Sequence, residues 1–234
     1  MFSLIAVVFV FASHHVDAQD DSIIGRAERY SLALKKLEKG KGRKSVESVY
    51  RKGQSVAEKT DELENLNETK YALVEKKMRG FVVNRDEIVF IKPKADFFKM
   101  LSKKFGTRAD SAFFTFLSEL KPDNIWSAFI EQQTDYSGCT IYGKGILTGL
   151  YGKAKRFRRQ YPSAYAADIK EEIDEMKGEF SDGTCACGDV NSVVKEFRLF
   201  IKTLPFDELT PVVKTRLKTI QNKQTAMRFN CLSG

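Results

Sequence analysis

Apolar residues recur at helical spacing along most of this chain, and only one stretch sets two strand-like runs side by side. Ile23, Ile24, Tyr30, Leu34 and Leu37 predict an amphipathic helix between Ser22 and Lys39, followed by a glycine-broken basic linker to Lys44. From Ser45 to Arg79 the chain is highly charged and free of proline. Val49, Val56 and Leu63 fall seven apart there, with Val46 and Leu66 nearby, which predicts one long helix packed along a single stripe. Gly80 ends it. Residues 81–91, FVVNRDEIVFI, hold two apolar runs around Asn-Arg-Asp-Glu and predict the only β-hairpin. Pro93 opens a helix with Phe97, Phe98, Leu101 and Phe105 on one face. Thr107 with Asp110 caps the next, whose face is Phe113, Phe116, Leu117 and Leu120. Pro122-Asp123 begins a further helix carrying Trp126, Phe129 and Ile130. Glu131 to Gly145 is polar, glycine-rich and irregular in pattern, and a long loop on a helical scaffold is where function is first sought.

The remainder falls into two similar units. Leu147, Leu150, Ala154, Phe157 and Tyr161 shift by 43 residues onto Val190, Val193, Phe197, Phe200 and Leu204, and each set stops just before a proline, Pro162 or Pro205. Ile169, Ile173 and Met176 shift by 44 onto Val213, Leu217 and Ile220, and Cys187 shifts by 44 onto Cys231. A fixed period of this kind marks stacked units. The expected architecture is mainly α: a charged helical region over residues 19–80, then a helical domain over 81–234 with a β-hairpin at 81–91 and two helix–turn–helix units at about 146–187 and 189–231.

At RFRRQYPSAYAADIKEEI and EFRLFIKTLPFDELTPVVKTRL the chain resembles the tetratricopeptide-like helical hairpins of bacterial envelope proteins, over about a third of its length. The period differs from the 34 residues of the standard repeat, and its Trp, Leu-Gly and Tyr positions are absent. The resemblance implies a scaffold for protein contacts.

The first 21 residues, MFSLIAVVFVFASHHVDAQDD, place a short apolar run from Leu4 to Ala12 ahead of Val16-Asp17-Ala18. The run falls short of the roughly 20 residues that span a bilayer, and the pattern is that of a secretory signal peptide over residues 1–18, cut after Ala18. No later run reaches membrane length. Both histidines, His14 and His15, lie in that segment, so the exported chain would lack the commonest general base and metal ligand. The net charge of +8 rises by one with the loss of Asp17, and Lys153, Lys155, Arg156, Arg158 and Arg159 concentrate it on one predicted helix. The partner helix carries Asp168, Glu171, Glu172, Asp174 and Glu175, which read as a solvated face. Such a balance favours an anionic neighbour, either an acidic protein or an anionic envelope component, without implying specific nucleic-acid binding.

Four cysteines in an exported chain point to two disulfides. Cys139, Cys185, Cys187 and Cys231 contain no C-x₂₋₄-C knuckle, so a metal site is not expected. If Cys185 and Cys187 form the junction of two stacked hairpins, the favoured pairing is Cys139–Cys185 with Cys187–Cys231. Cys139–Cys187 with Cys185–Cys231 is the crossed alternative.

No G-x-G-x-x-G, Walker or G-x-S-x-G motif is present, and no cofactor is implied. The function expected is an exported, non-enzymatic scaffold or interaction protein of the bacterial envelope or secreted space. The alternatives are a carboxylate-dependent, glycan-acting hydrolase and an inhibitor or immunity-type binder. The hydrolase would use Glu131 and Asp135, four apart, with Trp126, Tyr136 and Tyr142 holding a sugar ring. Those five are also the candidate binding residues for any other ligand. Asn67-Glu68-Thr69 matches a glycosylation sequon but falls within the predicted long helix, and so short a pattern reads there as a chance match.

Overall fold

A computed structural model describes residues 20–40, 45–134 and 137–231. The expected signal peptide, Asp135 and Tyr136 lie outside those residues. The chain is mainly helical, as its periodicity predicts, but it carries more β-structure than one hairpin.

The N-terminal part is built from α1 (Ile23–Glu38), α2 (Val46–Ala57), the single turn α3 (Thr60–Leu63) and α4 (Glu68–Lys77). The long helix expected over 45–79 is thus three pieces. Val49, Val56 and Leu63 are all buried, so the stripe is real. It is broken because the α2 backbone closes at Glu58 and Asn67 then starts a new helix, its side-chain oxygen accepting from the Lys70 amide at 3.0 Å. Both α2 and α4 pack on α1.

Strands β1 (Phe81–Asn84) and β2 (Phe90–Pro93) form the expected antiparallel hairpin, displaced by two residues, with Phe81 opposite Pro93 and Asn84 opposite Phe90. Helices α5 (Ala95–Phe105) and α6 (Arg108–Leu120) follow and pack on each other. Thr107 and Asp110 form the expected capping box. Asp110 does more than cap: its Oδ1 accepts from the Tyr165 hydroxyl at 2.6 Å, fastening α6 to a residue 55 positions away.

The helix expected at Pro122 is absent. Asp123 Oδ1 accepts from the amides of Ile125 and Trp126, both at 2.8 Å, and Asn124 adopts a left-handed backbone with φ 64°. This side-chain-bonded turn competes with helix formation. The irregular loop expected over 131–145 is instead a hairpin of β3 (Ile130–Thr134) and β4 (Ser137–Ile141).

From β4 onward the chain reads helix, helix, strand, twice. Helices α7 (Ile146–Gln160) and α8 (Ala166–Ser181) lead to β5 (Cys185–Cys187), and α9 (Val190–Thr203) and α10 (Thr210–Gln221) lead to β6 (Arg228–Phe229). The paired helices begin 44 residues apart. β4, β5 and β6 lie parallel, so each helical hairpin is the crossover that returns the chain to the same sheet. The cysteine doublet is therefore a strand in a four-stranded sheet of order β3-β4-β5-β6, not a loop junction.

That placement overturns the favoured cysteine pairing. The bonds are Cys139–Cys187 and Cys185–Cys231, with Cα separations of 5.1 and 5.9 Å. Cys185 and Cys187 are two apart on a strand, so both project from the face opposite buried Ala186 and are flanked by β4 and β6. Cys185 lies opposite Arg228. Three residues of extended chain would carry Cys231 about 10 Å further on. Asn230, at φ 50°, turns the chain back instead, its amide bonding to the Ala186 carbonyl and its side chain bonding Gly188 in both directions.

Aromatic packing joins the two parts of the chain. Tyr50 of α2 meets Phe98, Phe113, Phe114 and Tyr165 edge to face at centroid distances of 5.3–5.8 Å, and Phe113 stacks on Tyr165 at 3.8 Å. Such pairs contribute about 0.5–1.5 kcal/mol each beyond area burial. Tyr151, Phe180, Phe197 and Phe200 form a second aromatic group between the C-terminal hairpins.

Candidate functional site

Two charged regions stand out, one exposed and one buried. The exposed one is the outer face of α7. Leu147, Leu150, Tyr151, Ala154 and Phe157 bury one stripe of that helix, which leaves Lys153, Lys155, Arg156 and Arg159 outward by the helical period, while Arg158, seven residues after Tyr151, is exposed at the end of the helix. Lys153 pairs with Glu119 at 2.6 Å. Lys155 pairs with Asp207 at 3.3 Å and Glu208 at 3.2 Å. Arg156, Arg158 and Arg159 are exposed and make no hydrogen bond or ion pair among the described residues. Three exposed guanidinium groups within four consecutive positions at the end of α7 are therefore open to an anion, with Arg158 also bearing electrostatically on the Asp174 carboxyl.

Grooves flank this ridge on both sides. One, of about 440 Å³, runs between α6 and α7 and is lined by Thr115, Phe116, Lys153, Arg156, Phe157 and Tyr161. The other, of about 710 Å³, lies between α7 and the α9–α10 turn, with Lys155, Arg156, Arg159, Pro162, Leu204 and Asp207 in its wall. That turn carries Phe206, which is 98% exposed. Leaving a phenylalanine side chain in water forgoes about 1.5–3 kcal/mol of burial. The turn itself is held firmly. Asp207 accepts from the Tyr151 hydroxyl at 2.9 Å, and hydrogen bonds from Lys177 and Lys155 pull the Glu208 carboxyl down to about 2.

The buried region is the inner face of α8. Asp168 and Glu172 are each only 8% exposed, so two of the five carboxylates read as solvated are interior. Asp168 pairs with Arg51 at 2.5 Å and accepts from Gln54 at 2.7 Å. Glu172 Oε1 accepts from Lys121 Nζ at 2.7 Å, and its Oε2 is buried without a hydrogen-bond partner among the described residues. Burial raises the Glu172 carboxyl above its ordinary value despite Lys121. Burial alone would lower the Lys121 ammonium, but Glu172, Glu175 and Glu171 outweigh it and raise it. The adjoining cavity measures about 150 Å³ and has Tyr50, Lys92 and Phe113 in its wall. These groups are already committed to one another, and they tie α2, α6 and α8 together.

Of the residues singled out from the sequence, the described Trp126, Glu131 and Tyr142 stand in three different settings. Trp126 is half-buried in the Asp123 turn. Glu131 is exposed on β3, opposite Cys139, where the four-residue helical spacing to Asp135 does not apply. Tyr142 is buried, its hydroxyl donating to the Glu179 carbonyl at 2.8 Å and its ring meeting Phe197 at 5.9 Å. The four cysteines are all bonded, and no group of histidine, cysteine or carboxylate side chains among the described residues is arranged to hold a metal ion. Sequence reasoning picked out the α7 cations but missed Phe206. Its signal was a lone apolar residue after Pro205, in a turn that has no use for one.

No family model matches this chain, and neither a curated protein nor a solved structure does.

Proposed function

We propose that this is an exported, non-enzymatic interaction protein that receives an anionic partner on the α7 ridge. The observation that carries the reading is the set of three exposed arginines, Arg156, Arg158 and Arg159, across a groove from the turn that carries the fully exposed Phe206. Arginine presents a planar fork suited to carboxylate, phosphate or sulfate groups, and an exposed aromatic beside it is the composition of an interface anchor. The two disulfides fit a chain that folds in an oxidising compartment, which supports export. Among the described residues no helix is long and apolar enough to cross a membrane. On this reading the two C-terminal helical hairpins are stacked copies of one unit. Phe157 and Phe200 are buried at matching positions, as are Met176 and Ile220, and the scaffold's work is to hold the ridge rigid.

The test is a salt titration of binding to a defined polyanion such as immobilised heparin. Contacts from exposed cations are screened beyond about 8 Å at physiological ionic strength, so affinity should fall steeply with salt. Phe206→Ser should weaken binding while leaving the salt slope intact, because it removes apolar contact and no charge. Affinity that does not change with salt contradicts the reading.

A further inference from the structure

Asn67-Glu68-Thr69 reads, from its spacing alone, as a sequon hidden inside a helix, where an acceptor asparagine would have no use. The structure puts it elsewhere. Asn67 is the residue before α4, with φ −68° and ψ 164°, an extended backbone outside the helix. Asn67, Glu68, Thr69 and Lys70 are all exposed. The Asn67 side-chain oxygen is occupied, accepting from the Lys70 amide at 3.0 Å. Its Nδ2 carries no hydrogen bond among the described residues. The cap therefore uses the atom that a glycan leaves alone and frees the atom to which a glycan attaches.

The surroundings hold that geometry. Arg85 donates to the Leu66 carbonyl at 2.7 Å and also bonds Glu68, while its guanidinium lies 4.1 Å from the centre of the Tyr71 ring. The acceptor thus sits at a corner braced by Arg85 and followed by the exposed Glu68, Thr69 and Lys70. No proline follows Asn67 or Thr69 to block the tripeptide.

We infer that Asn67 is an acceptor for an N-linked glycan when the chain passes through a glycosylating secretory route. The co-reactant is a lipid-pyrophosphate-linked oligosaccharide. The Asn67 amide nitrogen forms a bond to the sugar C1, and the C1–oxygen bond breaks. The lipid pyrophosphate leaves with that electron pair, and the amide gives up one proton. The native fold has only to accept the product, and the exposed Nδ2 lets it do so without losing the helix cap. α4 packs on α1, whereas the arginine ridge is on α7, which packs on α6, α8 and α9, so the glycan and the ridge stand on different elements.

The experiment is secretion of the chain from a glycosylation-competent eukaryotic cell line, in one arm with its own N-terminal residues and in the other with a heterologous leader replacing residues 1–18. The expected result is a single enzymatically removable glycan, with Asn67 converted to Asp on removal by an N-glycosidase. Asn67→Gln and Thr69→Ala should each abolish the mass shift, and Thr69→Ser should keep it. Disulfide mapping of the same secreted material shows that the molecule scored is folded. Secreted, disulfide-bonded protein whose Asn67 is unmodified in both arms overturns the inference, and so does a glycan that survives Asn67→Gln.

Discussion

Glu196 Oε2 lies 2.8 Å from the amide nitrogen of Gly145, so a charged side chain in the middle of α9 closes the open start of α7. The same carboxylate accepts from the Gly143 amide at 2.8 Å and, through Oε1, from the Thr148 amide at 3.0 Å and hydroxyl at 2.7 Å. Glu196 is fully buried. Gly145 precedes the helix in a left-handed conformation, φ 75°, and has no side chain with which to cap it. The second hairpin thus supplies the cap that the first one lacks.

Removing that carboxylate should be among the costliest single changes in the protein. Glu196→Ala leaves two buried donors on Thr148 and two part-buried amides, of Gly143 and Gly145, without a partner, and a loss of about 3–5 kcal/mol is expected. Glu196→Gln keeps an acceptor and should cost less. Chemical denaturation of both variants checks this, and a Glu196→Ala protein as stable as the wild type would show that the four bonds do not matter.

Peptide mapping without reduction should recover Cys139 with Cys187 and Cys185 with Cys231. Each bridge closes a loop of nearly 50 residues, with sequence separations of 48 and 46. The chain-entropy account assigns about 4 kcal/mol to a loop of that size. Replacing Cys185 and Cys231 together by serine should lower stability by up to that amount while the Cys139–Cys187 bridge remains. Recovery of Cys139 joined to Cys185 would refute the strand register as well as the pairing.

Acid–base behaviour gives a third test. Burial raises the Glu179 carboxyl above its ordinary 4.5, the Thr140 hydroxyl opposes this, Glu175 adds to it and Arg216 reduces it. A carboxyl raised in the folded state contributes stability that is complete below its unfolded value and is lost as pH rises through the folded one. Glu179→Gln keeps the Thr140 contact and cannot ionise. Its Tm should therefore decline less than that of the wild type between about pH 4.5 and neutrality. The depressed carboxyls, Asp20, Asp21, Asp174, Asp189 and Glu208, act in the opposite direction and equally in both proteins. Parallel Tm curves would exclude Glu179 as the source.

Local chemistry was legible from sequence; distant partners were not. The Thr107–Asp110 box could be read because both groups are three residues apart, but the Tyr165 hydroxyl that also uses Asp110 arrives from another helix. β5 and β6 have three and two residues, too few for an alternating pattern to show. Trp126 and Phe129 hold helical spacing, yet the Asp123 carboxylate captures the local amides first. Glu172 and Glu196 look like solvated charges on amphipathic helices, and only the packing of Lys121 and the α7 start reveals them as interior. The α7 cations were visible because an outward helical face needs no partner to define it.

Phe206 makes the difference between stability and binding measurable. At 98% exposure it should be replaceable by serine with a stability change within about 0.5 kcal/mol. A clear drop in Tm would mean that the side chain packs in solution and does not stand ready for a partner.

The most direct test of the arginine ridge is charge reversal at equal net charge. Affinity for the same immobilised polyanion is compared between Arg156→Glu/Arg158→Glu/Arg159→Glu and Lys35→Glu/Lys36→Glu/Lys39→Glu, which changes three exposed lysines at the end of α1. The ridge variant should lose at least about tenfold in affinity, equivalent to about 1.4 kcal/mol, while the lysine variant loses markedly less. Equal losses in the two variants would mean that net charge alone governs binding and that the α7 ridge is not the docking surface.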